Sequence, residues 1–247
     1  MPMMPFSPKL LMPSNARPRG LSRRHLIRLG QAEFVPDLSG GLFWPAEKTL
    51  IVSDLHLEHG TSLARRGLYV PPFDTALTLA TLRSLIADVG ATRLILLGDS
   101  FHDGIAHNEI DEDNKTALIA LTQAIETHWI SGNHDPLPPE GLGGHPAAEL
   151  ALGNIVFRHH QGKIAAGACE VSGHLHPGAS VHQRGRNVHA KCFVGDGRRL
   201  IMPAFGAYTG ALTVAAPAFD GLFDETAARA HVLGRNAIHS LPLAKLR

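Results

Sequence analysis

Two unbroken apolar runs, Thr49-Leu50-Ile51-Val52 and Arg93-Leu94-Ile95-Leu96-Leu97, constrain this chain more than any other feature. A short run that is apolar at nearly every position has both faces covered, which is the condition of a strand inside a parallel sheet. Parallel neighbours need a crossover, and the sequence supplies one. Leu79, Leu82, Leu85, Ile86 and Val89 fall at helical spacing, so a helix is expected over Asp74–Val89 with Asp74 as its N-cap. A second helix is expected over residues 109–126, where Leu118, Ile119, Leu121 and Ile125 form one apolar face and an acidic start suits the dipole. His128-Trp129-Ile130 and Asn154-Ile155-Val156-Phe157 read as weaker strands. After Gly143 the texture turns to short strands at residues 179–183, 188–194, 200–202 and 211–214, separated by Gly, Pro and Asn. A βαβαβ unit followed by a β-rich half predicts an α/β fold of two packed mixed sheets flanked by helices.

Length and composition set the outer limits. With 247 residues, 44% of them hydrophobic, the chain can bury one substantial core, and a single domain over residues 25–247 is expected. Residues 1–24 carry several prolines and a basic run from Arg17 to Arg24 without periodicity, the composition of a mobile tail. Ser22-Arg23-Arg24 superficially matches a twin-arginine export signal, but residues 26–33 lack the apolar stretch such a signal needs. No run approaches the ~18 apolar residues of a membrane span. Cys169 and Cys192 belong to no C-x-x-C pair, and a cytoplasmic location is the expectation. A formal net charge of +1 creates no global field for polyanions, so any nucleic acid would need a local patch. Sixteen histidines are the one compositional excess.

Many of those histidines fall in motifs that follow the strand-like runs. Asp54-Leu55-His56 comes after the first; strand alternation would put both polar side chains on one face, where one metal can take them. Alone, such a triplet also fits a surface aspartate beside a satisfied histidine. Gly98-Asp99 follows the second run, with the glycine permitting a sharp turn and Asp99 as the natural carboxylate bridge between two cations. Asp103, in the next turn, is placed to orient an imidazole from behind, and His102 to be structural or close to substrate. Gly132-Asn133-His134-Asp135 is the most specific motif. Asn133 is an expected ligand of a second metal, His134 is free for proton transfer to the phosphate or leaving group, and Asp135 is placed to fix the tautomer of His134. In Gly173-His174-Leu175-His176 two imidazoles lean one way, each available to a different metal. Arg158-His159-His160 adds one more ligand, since adjacent side chains face opposite ways; His159 is favoured. Carboxylate, imidazole and amide donors suit Mn²⁺, with Fe or Zn²⁺ as alternatives, and two such ions can clamp an in-line phosphoryl displacement.

The ordered series resembles the calcineurin-like metallophosphoesterases, whose pattern D-x-H, GD, GNH(D/E), H and GHxH is matched from Asp54 to His176. The resemblance implies a four-layer α/β/β/α sandwich. It implies one metal on Asp54, His56, Asp99 and His176, another on Asp99, Asn133, His159 and His174, and His134 acting on the phosphoryl or leaving oxygen. Longer stretches, among them Leu42-Phe43-Trp44-Pro45, Asp54-Leu55-His56-Leu57-Glu58, Ala64-Arg65-Arg66-Gly67 and Gly173-His174-Leu175-His176-Pro177, are similar to the ligase-associated DNA damage response endonucleases. That likeness implies a phosphodiester substrate, a choice the metal ligands themselves do not encode, in DNA repair beside an ATP-dependent DNA ligase, a helicase and an exonuclease. Two departures stand out: His160-Gln161 replaces the usual continuation to proline, leaving His159 against His160 open, and His59 stands where a lysine is common.

The expected reaction is attack of an activated water on phosphorus in line with the leaving ester oxygen. Arg65 and Arg66 are candidate bidentate donors to flanking phosphates, with His59 on the substrate side, or else a solvated helix end. Arg184, Arg186, Arg198 and Arg199 could extend a phosphate track or simply solubilise. The same ligand set also fits a small-molecule phosphatase, a cyclic nucleotide phosphodiesterase or a nucleotide pyrophosphatase. A non-catalytic repair scaffold is the reading of another class, and it is disfavoured because every ligand position holds a competent residue.

Overall fold

The computed structural model describes residues 25–136, 141–183 and 186–246. The expected tail at residues 1–24, Arg184 and the side chain of Arg186 lie outside the described residues. The first sheet comprises β1 (Ile27–Leu29), β2 (Ala32–Pro36), β3 (Leu42–Trp44), β4 (Thr49–Val52), β5 (Arg93–Leu97), β6 (Glu126–Ile130) and β7 (His145–Ala147), hydrogen-bonded in that order. β1 to β4 pair antiparallel, and β4 to β7 pair parallel. The crossovers are α2 (Asp74–Val89), preceded by the short α1 (His59–Arg65), and α3 (Glu112–Ala124).

The alternation inside the two apolar runs explains why no polar residue interrupts them. Leu50, Val52, Leu94 and Leu96 face the helices and pack on Leu79, Leu82, Leu85, Leu118 and Leu121. Ile51, Ile95 and Leu97 face the other way and pack on Ile155, Phe157, Val171, Phe193 and Leu200 of the second sheet. Each such fully buried branched side chain contributes about 1.5–3 kcal/mol.

The second sheet comprises β8 (Glu149–Leu152), β9 (Ile155–Arg158), β10 (Cys169–Ser172), β11 (Pro177–Gln183), β12 (Arg186–Gly195), β13 (Arg199–Ile201), β14 (Leu212–Thr213), β15 (Arg229–Leu233) and β16 (Ile238–Pro242). Its order is β14-β11-β12-β13-β10-β9-β8, and β12 also pairs with β15, which pairs with β16. β9, β10 and β13 run parallel, so the sheet is mixed like the first. Two mixed sheets face to face are the expected architecture, with α2 and α3 on the outer face of the first. The outer face of the second sheet is covered by the segment bearing Phe219 and Phe223 and by Leu243, whose only helical turns are of 3-10 type. Among the described residues, no helix is long and apolar enough to cross a membrane.

Helix ends differ from expectation in one informative way. Asp74 does not cap its own helix. It sits in the first turn of α2, and its Oδ2 accepts a hydrogen bond of 3.1 Å from the Gly60 N–H at the start of α1. Glu58 accepts from Thr75 at 2.8 Å and from Thr61 at 2.6 Å, so both acids tie the entrance of α1, and with it His59, to α2. The second helix starts at Glu112 because Asp111 caps it, accepting from the Asn114 N–H at 2.8 Å.

Candidate metal centre

The motif residues follow the C-terminal ends of parallel strands: Asp54 after β4, Asp99 after β5, Asn133 and His134 after β6, His159 after β9 and His174 after β10. Past β4 and β5 the chain segments stay joined, with Asp54 N–H on Gly98 O at 3.2 Å and His56 N–H on Asp99 O at 3.0 Å. Strand alternation is not what aligns the side chains. Asp54, His56, Asp99, His174 and His176 all have positive φ, between 44° and 69°, in a set of seven such non-glycine residues among those described. Left-handed backbone costs a β-carbon-bearing residue about 1–3 kcal/mol and concentrates at functional sites. Here it turns each donor inward while Leu55 remains in the core.

Glycines let the segments close. A β-carbon on Gly132 would stand 2.1 Å from Asp99 Oδ1, and one on Gly173 would stand 1.9 Å from Ser53 Oγ and 2.7 Å from Asp54 Oδ2.

The donors form overlapping groups. Ligand atoms of Asp54, His56 and His176 lie within 4.8 Å of one another, as do those of Asp54, Asp99 and His159, and those of His159, His160 and His174. Asp54 Oδ1 is 3.1 Å from His176 Nε2, and His56 Nε2 faces His176 Nε2 at 3.4 Å. On the other side His159 Nε2 is 3.0 Å from Asn133 Oδ1 and 3.3 Å from Asp99 Oδ2. Asp99 Oδ2 is also 3.9 Å from His56 Nε2, which places this oxygen between the two groups. His159 Nδ1 donates to Leu97 O at 3.0 Å, leaving Nε2 to face the centre. His159 is 2% exposed, whereas His160 is an exposed ring packed on His174 with centroids 3.8 Å apart.

Cations fit this donor set. Asp54 Oδ1 is buried and, among the described residues, accepts no well-aligned hydrogen bond although His176 Nε2 is 3.1 Å away, and three or more lone-pair donors converge at each end. Burial pushes the His56 imidazole down to about 3, against the pull of Asp54, and pushes His174 down to about 4, so both present lone pairs at neutral pH. Burial would raise the Asp99 carboxyl, but the hydrogen bond and charge of His159 outweigh it and hold Asp99 well below the usual carboxylate range. Burial likewise opposes charge on His159, yet Asp99 and Asp54 raise it: these acids favour positive charge at this spot.

A cleft of about 270 Å³ opens over the centre, walled by His56, His59, His102, His134, Thr209 and Gly210 among others. His134 Nδ1 is 2.5 Å from His102 O, so Nδ1 carries the proton; Nε2 is 3.9 Å from Asp99 Oδ2 in a side chain 40% exposed. His59 stacks on His102 at 3.9 Å with 11° between ring planes.

Three expected roles are corrected. Asp135 does not touch the His134 ring: its Oδ2 accepts from the N–H groups of Ser100 at 2.8 Å and Phe101 at 3.1 Å, anchoring the turn after Asp99, while the His102 carbonyl sets the His134 tautomer. Asp103 orients no imidazole; it accepts from Ile105 and Ala106 N–H groups and pairs with Arg65. Arg65 in turn is held by Asp103 and Glu109, so its guanidinium is committed within the protein. Arg66 is exposed and has no ion pair among the described residues. Arg199 is committed to the buried Glu170, and Arg198, which is exposed, donates through one nitrogen to Ile164 O and Ala165 O.

Imidazoles and carboxylates converging at the ends of parallel strands in two facing mixed sheets define the class, a metal-dependent hydrolase of phosphoester bonds. The calcineurin-like phosphoesterase sequence model matches residues 47–191, more than half of the chain, and the chain belongs to that family. Among solved structures, the Pseudomonas putida nuclease MPE superposes with a TM-score of 0.67 at 23% identity, over 88% of this chain and 99% of that one. Yfce, a phosphoesterase from E. coli, gives a TM-score of 0.38 at 12% identity, over 79% of this chain and 98% of that one. No curated protein matches the chain.

The sequence reading missed Lys191 and the loop at residues 203–210. The loop begins after β13 as the other site segments begin after their strands, but Pro203-Ala204-Phe205-Gly206 contains no donor side chain to draw notice.

Proposed function

We propose that this chain is a phosphodiesterase that holds two divalent cations, Mn²⁺ by preference, and cleaves DNA in a repair setting with an ATP-dependent ligase, a helicase and an exonuclease as partners. Residues 25–247 act as one catalytic domain in this reading. The observation that carries it is the position of Asp99 Oδ2 between the His56 and His159 nitrogens. Asp54, His56, Asp99 and His176 hold one cation, and Asp99, Asn133, His159 and His174 the other. When bound, such a pair would supply charge against the phosphoryl oxygens and make water more acidic.

The protein's own groups do the rest. His134, oriented through Nδ1 by the His102 carbonyl, presents Nε2 to the cleft and, when protonated, gives its proton to the leaving ester oxygen. Arg66 and His59 meet the flanking phosphate from the α1 side, and the His59–His102 stack fixes the ring on which it rests. Similarity of fold to a nuclease supports the choice of a diester over a monoester.

The test is a panel of p-nitrophenyl phosphate, its bis ester, cyclic nucleotides and nicked or branched DNA, with chelated protein resupplied with Mn²⁺. Cleavage of the bis ester and DNA that depends on Mn²⁺ is the expected result. Activity confined to small monoesters would remove the DNA reading.

A further inference from the structure

Lys191 projects from β12 toward the site without belonging to it. Its Nζ donates to Ala204 O at 2.8 Å, Gly206 O at 3.1 Å and Thr209 Oγ1 at 2.8 Å. An ammonium has three protons and no acceptor, so these partners saturate it. The Thr209 hydroxyl in turn donates to Gly206 O at 2.6 Å, which closes the network. The loop so gathered is bonded in turn to the turn that carries Asp54: Phe205 N–H meets Ser53 O at 2.8 Å, and Gly206 N–H meets Asp54 O at 3.2 Å. The approach is close enough that a β-carbon on Gly206 would lie 2.1 Å from Leu55 O. The far end of the same loop, Thr209 and Gly210, forms a wall of the cleft.

We propose that Lys191 is a positioning residue for this reaction: its ammonium latches residues 203–210, fixing at once the cleft wall at Thr209 and Gly210 and the backbone behind Asp54. No other side chain reaches all three loop partners among the described residues. Burial lowers the Lys191 amine to about 8, which leaves it charged at neutral pH and able to donate all three bonds. The substrate meets the wall rather than the lysine, so losing the latch weakens substrate binding more than turnover. This kinetic consequence rests on the phosphodiesterase reading; the latch itself does not.

The experiment compares the full-length wild type with Lys191→Met, which keeps the aliphatic stem, and with Thr209→Val. Amide hydrogen exchange is followed over residues 53–57 and 203–210, and steady-state kinetics on bis(p-nitrophenyl) phosphate are measured at saturating Mn²⁺. Lys191→Met should speed exchange selectively in those two segments and raise KM about tenfold with kcat within about threefold. Unchanged exchange and KM in folded Lys191→Met, or acceleration spread evenly over the chain, would overturn the proposal. If Lys191→Met does not fold, Thr209→Val decides by the same criterion, faster exchange at residues 203–210 or none. A wild type inert toward the diester would refute the phosphodiesterase reading while the exchange data still judge the latch.

Discussion

Oδ2 of Asp99 stands 3.3 Å from Nε2 of His159, although the two residues leave different sheets, one from β5 and the other from β9. The sheets are pressed together by Ile95, Leu97, Phe157 and Val171, so the distance is set by the core and not by the loops. Asp99→Ala removes the carboxylate that the proposed function shares between the two cations. It is expected to lower kcat/KM by more than ~10³-fold and to reduce bound metal, as read by steady-state kinetics and elemental analysis.

The His134 ring is oriented by the His102 carbonyl, and its backbone N–H donates to Asp99 Oδ1 at 2.9 Å. His134→Ala should therefore cut kcat by about 10²–10⁴-fold while metal content stays at the wild-type level. Equal loss of metal and activity would show His134 to be a ligand instead.

The two adjacent arginines should separate. Arg66→Ala is expected to raise KM for a diester about tenfold, the scale of one lost charge-assisted hydrogen bond. Arg65→Ala should leave KM unchanged and lower Tm modestly, because its partners are Asp103 and Glu109. Identical KM changes in both variants would contradict this division.

Asp135 carries a pH signature. Burial, with the nearby Asp99 charge adding to it, raises its carboxyl from 3.8 to about 7 despite the two N–H groups it accepts. A folded value above the unfolded one means that the folded state holds the proton longer. The associated stability is complete below about pH 4 and is lost as pH rises through 7, a change on the order of a few kcal/mol. In metal-free protein, denaturant titrations from pH 4 to 7.5 should show Asp135→Asn gaining on wild type as pH rises. A constant difference between them would count against the assignment.

Much of the fold could be read in the residues. β4 and β5 coincide with the unbroken runs, and α2 spans the predicted residues, because burial on both faces and helical spacing leave strong marks. The donor residue types and their order along the chain were also legible. What escaped is long-range. The hairpin of β15 and β16 has mixed character, and its stability comes from packing on Cys192 and Val194. Left-handed backbone at Asp54, His56 and Asp99 has no mark of its own in a non-glycine side chain, so the sequence shows a strand's alternation where turns aim the donors. The partners of Asp135, Asp103 and Arg65 lie on other segments, and proximity in sequence pointed to the wrong ones. Lys191 stands in no motif that would single it out in the sequence.

Anomalous diffraction from crystals grown with Mn²⁺ tests the central claim most directly. Two peaks about 3.5–4 Å apart, one on each side of Asp99 Oδ2, are the predicted result. A single peak, or a pair with Asp99 bound to neither, would contradict it.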